Sequence, residues 1–384
     1  MSNLSLNEVL QAYISCRKNK RNTVNQIKFE LSMENNLYNL YTELRNRTYL
    51  PGRSICFVVT YPKLREIFAA DFKDRVVHHL LVSRLELYYE KRFIYDSYAC
   101  RKNKGAHKAV SRLRKFSRQN EYYLQIDVKN FFTSIDKNIL YSIFLKGKFN
   151  EETVSLLKKI IFHDPTSNYY LKGDRNLFRK IPPSKSLFYT PKNKGLPIGN
   201  LTSQFFANVY LNEVDQYIKR TLKVKHYIRY VDDMILLSDD KKQLLKWRNE
   251  INGFLTEKLK LSLHPGKDRI GAVENGIDFL GYIVRPNYIL SRRRVAGNLK
   301  KKLNLFNKGY YLLSNNQKQI SLPLSSNPTD EEIARMLTTV NSYYGHFKHA
   351  DTYNLRKNLY ENRMGKLKNY LEPVDNYAHF RIAK

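Results

Sequence analysis

Across residues 72–92 apolar side chains return at Val77, Leu81, Leu85 and Tyr88 or Tyr89, and that three-to-four spacing predicts a helix with one buried face. Adjacent histidines within it, His78 and His79, point in different directions, which suits packing or hydrogen bonding better than a shared metal. Over residues 122–128 the period changes to two. Tyr122, Leu124, Ile126 and Val128 share one face and Tyr123, Gln125 and Asp127 the other, so a strand is predicted that delivers the Asp127 carboxylate opposite its apolar row. A turn at residues 195–199 precedes a helix carrying Phe205, Phe206, Val209 and Tyr210, with Asn200 or Thr202 as its cap. Residues 226–231 and 234–237 are strand-like on either side of Asp232 and Asp233, which predicts a hairpin with two carboxylates at its reversal.

A helix with Leu244, Ile251, Leu255 and Leu259 on one stripe follows, then a turn at Pro265 and Gly266 with Lys267 behind it. Residues 277–284 read as one strand, and the remainder as mainly helical with a loop over 314–328, where Asn327 and Pro328 make a cap and first turn. Residues 1–60 read as helix-rich, ending in the turn Leu50, Pro51, Gly52 and a short strand over 55–60. Residues 164–194, rich in Pro, Gly, Ser and Lys, read as an irregular insertion projecting from the core. The order of strand, helix, hairpin, helix and strand predicts an α+β fold with an antiparallel sheet backed by helices.

Composition adds a partner. The 384 residues carry 67 Lys plus Arg against 35 Asp plus Glu, a formal charge of +32, while 42% hydrophobic and 13% aromatic residues exclude a disordered basic tail. Such an excess calls for a polyanion, DNA, RNA or anionic lipid. Eight basic residues and no acid fall within residues 101–118, among them Arg101, Lys102, Lys104 and Lys108. A solvated helix face is the plain reading of that run. Residues 291–384, which open with Arg292, Arg293 and Arg294, carry a net +10 and many tyrosines, a mix that suits backbone contact and base stacking. Charge spread over the whole chain favours a polyanion groove over a membrane helix. No apolar run is long enough to span a bilayer and no signal-like start is present, so a cytoplasmic protein is expected. Cys16, Cys56 and Cys100 lie too far apart for a disulfide framework or zinc site and are expected to be small core residues.

Two adjacent carboxylates repel unless something positive lies between them. Asp-Asp alone is weak evidence, since aspartate is common in exposed turns. Here Tyr227, Ile228, Tyr230, Val231 and Met234 to Leu237 predict a buried hairpin, where bare acids are costly. Two Mg²⁺ ions about 4 Å apart would resolve that cost and drive phosphoryl transfer, with Asp127 as a third ligand.

At this point the chain resembles a known family. Tyr230-Val231-Asp232-Asp233 is similar to the catalytic box of reverse transcriptases, and "LQIDVKNFFTSID" from Leu124 to their first aspartate motif. "GLPIGNLTSQFFANVYLNEVD" from Gly195 resembles the template- and nucleotide-contacting motif of the prokaryotic enzymes, most closely those of diversity-generating retroelements and related defence-associated enzymes. "YPKLREI", "FKDRVVHHLL", "FIYDSYACRKNKGAHKAV", "FLGY" and "NSYYGHFKHADTYNLR" extend the likeness over most of the chain. It implies a right-hand polymerase fold, with an N-terminal segment and fingers over 1–126, a palm over 127–290 and a helical thumb and tail over 291–384.

The resemblance also implies roles. Asp127 and Asp232 would be the principal metal ligands, Asp233 the accessory acid, and the Val128 carbonyl a further ligand. Lys63 and Arg65 would hold the incoming triphosphate, Gly199 would admit the nascent pair closely, and Ser203 and Gln204 would lie where the small helix faces the template. Phe132 occupies the steric-gate position, where a ring excludes a ribose 2′-hydroxyl and selects deoxynucleotides. Lys267 resembles a lysine proposed as general acid to the pyrophosphate; a solvated turn lysine is the equal alternative. Tyr230 and Phe279, Leu280 and Gly281, the last three in a primer grip with Tyr282, would meet nucleic acid, as would the arginines and lysines named above. Two positions depart from the retroviral pattern, with Ile198 where those enzymes have Gln and Gln204 where they have Pro. An aliphatic Ile198 removes a polar contact to the nucleotide, so an error-prone enzyme is expected.

The expectation is therefore an RNA-directed DNA polymerase using two Mg²⁺ ions, with Mn²⁺ as a substitute, that makes cDNA from a structured noncoding RNA template, a primer strand and dNTPs. Its setting would be a diversity-generating retroelement or antiphage defence, with an accessory protein or second polymerase subunit and no membrane. No nuclease or RNase H domain is expected within the residues beyond 290. The alternatives are template-independent or protein-primed synthesis, or an inactive RNA-binding scaffold.

Overall fold

The computed structural model describes residues 4–18, 23–61, 63–308, 310–315, 318–323 and 328–383. Three helices lead, α1 (Leu6–Arg17), α2 (Val24–Glu30) and α3 (Met33–Arg45), and the first is started by a capping box in which Ser5 and Glu8 satisfy each other's backbone N–H. Strands β1 (Ser54–Val59) and β2 (Arg65–Ala69) form an antiparallel pair. Helix α4 (Phe72–Glu90), capped by Asp71, follows and buries Val77, Leu81 and Leu85 as their spacing predicts. Next come α5 (Ala106–Ser117), β3 (Tyr122–Asp127), α6 (Phe131–Ser134), α7 (Lys137–Leu145) and α8 (Glu151–Phe162). The insertion contributes β4 (Tyr169–Leu171) and α9 (Arg175–Phe178), before α10 (Leu201–Gln216), β5 (His226–Tyr230), β6 (Asp233–Ser238) and α11 (Lys241–Leu259). The remainder is β7 (Arg269–Ala272), β8 (Ile277–Phe279), β9 (Tyr282–Val284), β10 (Ile289–Ser291), α12 (Arg293–Asn307), β11 (Tyr310–Asn315), β12 (Lys318–Pro323), α13 (Asp330–Phe347), α14 (Tyr353–Arg363), β13 (Leu371–Val374) and β14 (His379–Ile382).

Helices beside antiparallel strands make the fold α+β, as expected. The chain divides into two compact units. One holds residues 1–100, 125–234 and 245–268, and the other residues 101–124, 235–244 and 269–384. Strands β5, β6, β3 and β7 form, in that order, a four-stranded sheet. In the first unit α4 packs against α1 and α10, and Val76 and Leu80 on α4 and Phe206 and Val209 on α10 are buried. A second sheet there, of order β2-β1-β4, is antiparallel between β1 and β2 and parallel between β1 and β4. The second unit gathers α12, α13 and α14 with β13 and β14 around Leu299, Leu303, Val340, Tyr344 and Leu359. Among the described residues no helix is long and apolar enough to cross a membrane.

Several expectations are corrected. Residues 277–284 are a hairpin and not one strand, because Leu280 (φ 51°) and Gly281 (φ 89°) reverse the chain between β8 and β9; apolar content alone does not report that reversal. The stretch read as a loop over 314–328 holds the hairpin of β11 and β12, which began inside the preceding helical reading, and a second hairpin, β13 and β14, ends the described chain. Thr329 caps α13 with a capping box to Glu332, while Asn327, the expected cap, lies outside the described residues. The insertion at 164–194 does not project freely. It pairs β4 with β1 and buries Pro165, Ile181 and Ser186. Cys16 and Cys56 are buried as expected, but Cys100 is exposed, at a left-handed position (φ 53°).

Candidate active site

Asp127 ends β3, and the chain downstream of α11 runs beside it. Lys129 N–H donates to the Ser262 carbonyl (2.9 Å), His264 N–H to the Asp127 carbonyl (2.8 Å), and Val128 bridges Leu263. This register brings the turn at Pro265–Lys267 back over the strand end, and the Lys267 ammonium donates to Asp127 Oδ2 at 2.6 Å. Two of the expected residues, 140 positions apart, are in direct contact.

Asp232 and Asp233 stand at the reversal between β5 and β6. The turn requires Val231 at φ 56°, a left-handed conformation that a β-branched residue rarely adopts and that costs of order 1–3 kcal/mol. Arg229 braces it. Its Nη1 donates to the Val231 carbonyl (3.0 Å) and to Asn208 Oδ1 (3.2 Å), while Nε and Nη2 grip Asp215 at 2.8 and 2.6 Å. Tyr227 donates its hydroxyl to the same carboxylate at 2.7 Å. Both members of the ion pair are 0% exposed. The Arg229 backbone is held too, with its N–H on the Asp96 carbonyl and its carbonyl accepting from Tyr98 N–H. Neither Arg229 nor Asp215 was singled out from the sequence. The available signal was a charge inside the apolar strand His226–Tyr230.

Electrostatics mark the hairpin. Burial, together with the neighbouring Asp127 charge, pushes the Asp232 carboxyl up to about 6, with Lys267 and Arg65 pulling the other way. Burial pushes Asp233 up to about 7; the Gln125 amide, donating at 3.0 Å, opposes this, and the charges of Asp127 and Asp232 add to it. Gln125 lies two residues before Asp127 on the same strand face, as the alternation predicts, and is a contact the motif reading missed.

The other expected residues of this unit are placed as follows. Lys63 and Arg65 are exposed at the start of β2. Phe68 N–H on that strand donates to the Ile198 carbonyl (3.0 Å), so β2 and the turn at 198–199 are tied together. Gly199 has φ 119°, and a Cβ there would lie 2.7 Å from Ile67 Cγ2, so the turn needs glycine. Asn200 begins α10, yet its side chain caps no helix N–H and accepts from Ala70 N–H at 3.0 Å. Ser203 is buried and Gln204 exposed. The half-buried Phe132 ring tilts against Phe131 at 5.4 Å, Val128 is buried, and Tyr230 is half-buried.

The second unit holds the remaining expected residues. Lys102 and Lys108 are exposed, Arg101 and Lys104 half-buried, and Lys108 donates to the Asn103 carbonyl. Phe279 is buried, with Leu280 and Gly281 forming the β8–β9 turn. Arg292 donates its backbone N–H to the Gly281 carbonyl and pairs its guanidinium with Asp278, while Arg293 and Arg294 are exposed.

Among the described residues no group of three His, Cys, Asp or Glu side chains is gathered closely enough to hold a metal ion as it stands. The donor chemistry nevertheless fits a divalent cation. Asp127, Asp232 and Asp233 offer hard carboxylate oxygens of the kind magnesium takes, and their mutual repulsion within protein is what a cation would relieve.

Comparison with known proteins supports the reverse transcriptase part of the motif reading. Residues 61–284 match the family described as reverse transcriptase (RNA-dependent DNA polymerase). Protein YkfC of Escherichia coli K12 is 23% identical over 319 residues, covering 73% of this chain and 79% of YkfC. The group II intron-encoded protein LtrA of Lactococcus lactis is 20% identical over 334 residues, covering 70% of this chain and 53% of LtrA. The chain thus spans about half the length of the second relative.

Proposed function

This chain belongs to the reverse transcriptase (RNA-dependent DNA polymerase) family, and from that premise we propose that it copies a structured noncoding RNA into DNA by extending a primer with deoxynucleotides. The observation that carries this reading is the meeting of Lys267 with Asp127 at the end of β3, on the strand whose Gln125 contacts Asp233 of the hairpin. The α+β right-hand polymerase fold is that of the family; we take residues 1–126 as N-terminal segment and fingers, 127–290 as palm and 291–384 as thumb and tail.

Asp127, Asp232 and Asp233, with the Val128 carbonyl, would hold two magnesium ions. When bound, such ions supply charge to the attacking 3′-hydroxyl and the leaving oxygen in an in-line displacement. In this reading Lys63 and Arg65 bind the triphosphate, and the Lys267 ammonium gives a proton to the departing pyrophosphate. Gly199 lets the backbone approach the new base pair, the Phe132 ring excludes a 2′-hydroxyl, and the aliphatic Ile198 leaves pair geometry less tested, so the enzyme is error-prone. Arg229 acts through the Val231 carbonyl as a positioning residue for Asp232. Primer and template contacts fall to Tyr230, the Leu280–Gly281 turn and the arginines and lysines of the second unit. The setting is a diversity-generating retroelement or an antiphage system, with an accessory protein or second polymerase subunit.

The test is to purify the protein with the RNA that accompanies it, add Mg²⁺ and labelled dNTPs, and compare it with Asp232→Asn plus Asp233→Asn. Labelled DNA from the unmutated protein alone, matching the bound RNA and misreading template adenine, is expected. No DNA from either protein, on its own RNA or on a supplied primed template, would turn the reading towards an RNA-binding scaffold.

A further inference from the structure

Within residues 164–194 there are seven Lys plus Arg and two Asp, a net +5. Strand β4 of this insertion pairs in parallel with β1 through residues 54–56 and 169–171, and beside it opens a cleft of about 680 Å³. Aromatic rings make its wall. Tyr169 and Phe188 meet edge to face at 5.2 Å, and both rest on Phe68, which is 0% exposed. Tyr170 lines the cleft 56% exposed and Phe188 39% exposed. The Arg53 guanidinium lies 5.8 Å from the centre of the Tyr170 ring, its Nη2 donating to the Tyr169 carbonyl at 3.0 Å. Arg175, exposed on α9, also lines the cleft and pairs with no carboxylate among the described residues.

Single exposed tyrosines need no explanation. Clustered rings with arginines between them and no acid in the lining are a different matter, since an apolar partner would leave those guanidiniums desolvated and unpaired. Ring faces offered beside backbone-seeking cations match one ligand, a polynucleotide whose bases are unpaired and free to stack. A duplex, whose base faces are already covered, cannot use them.

Phe68 connects the cleft with the candidate active site. Its ring supports Tyr169 and Phe188, while its backbone N–H holds the Ile198 carbonyl. Strand β4 lies two strand spacings, about 10 Å, across the sheet from β2. We propose that the insertion forms a stacking site for an unpaired nucleic-acid strand, the single-stranded template before it is copied, with Tyr170 and Phe188 receiving bases and Arg53 and Arg175 receiving phosphates. The choice of the template as occupant rests on the polymerase reading, whereas the stacking site itself does not.

The experiment measures binding without dNTPs, so its failure is separable from a failure of polymerisation. Fluorescence anisotropy of labelled oligo(dT) and oligo(U) of about 12 nucleotides is compared with that of a blunt duplex, for the unmutated chain, Tyr170→Ala plus Arg175→Ala, and Tyr170→Phe. The double variant is expected to bind single strands at least ~10-fold more weakly with duplex affinity unchanged, and Tyr170→Phe to bind as the unmutated chain. Arg175→Ala alone should lower the slope of log affinity against log salt by about 0.7. Equal losses for DNA and RNA indicate stacking blind to the sugar, and a loss for RNA alone indicates a site fitted to an RNA template; both support the site. Unchanged single-strand binding in the double variant, or an equal loss on the duplex, overturns it. A thermal melt matching the unmutated chain establishes that the double variant is folded.

Discussion

Two carboxylate sites in the same unit answer burial in opposite ways. Asp215, near the end of α10, is 0% exposed and takes the Arg229 guanidinium and the Tyr227 hydroxyl. Asp232 and Asp233 are half-buried, yet no salt bridge among the described residues reaches either, and both carboxyls are pushed up, to about 6 and about 7. An acid whose counter-charge is internal belongs to the architecture. Acids left in want of one are addressed to something that arrives from outside. Arg229 joins the two cases, since the group that neutralises Asp215 also holds the carbonyl preceding Asp232.

The contrast breaks most visibly at Arg229. Arg229→Met leaves Asp215 charged and unpaired in the interior and should cost 3–5 kcal/mol, about that order, in urea unfolding, with much of it recovered by adding Asp215→Leu. A single variant as stable as the parent would show that the pair is not structural. Next in size, Asp232→Asn plus Asp233→Asn should lower DNA synthesis by ~10³-fold or more while leaving the urea midpoint unchanged or raised, because repulsion is relieved. A marked loss of stability would place these acids with Asp215.

A further buried acid, Asp74, sharpens the rule. Asp74 accepts from the Tyr49 hydroxyl (2.7 Å) and Gly52 N–H (2.9 Å), and burial raises its carboxyl above the ordinary 3.8. The folded protein therefore holds this proton more tightly than the unfolded chain. Its contribution to stability is fullest below the ordinary carboxyl range and is lost as pH rises through the folded value. Asp74→Asn removes that loss, so the variant should gain on the parent from about pH 4 towards neutrality, as read from paired urea midpoints; a gain on acidification would reverse the sign and refute it. The smallest effect is expected at Val231→Gly. Relieving the left-handed valine against glycine's added chain entropy should change stability by up to about 1 kcal/mol in the favourable direction, with a loss showing that the side chain packs more than it strains.

Much of the fold was legible because it obeys short periods. The α4 stripe, the alternation in β3 and the apolar arms around Asp232 and Asp233 each announce an element within a few residues. The motif spacing was enough to single out Lys267 and Asp127, although their contact depends on the 262–264 segment lying beside β3, which no local pattern reports. Arg229 and Asp215 escaped for the same reason. Their meaning is the pair, and the pair exists only once β5 lies near α10. Reversals were the other blind spot. Leu280 and Asn130 take left-handed backbone without being glycine, so Gly281 alone hints at where β8 ends.

The parallel pairing of β4 with β1 also bears on how the chain behaves as a material. Opposite β2, strand β1 has one further edge, and residues 169–171 cover part of it. Trimming residues 164–194 to obtain a smaller protein would uncover that edge, with Val58 and Phe57 next to it, and bare edges recruit strands from other molecules. Shortened versions should therefore precipitate before they lose their helices, and the insertion guards solubility whatever strand it binds.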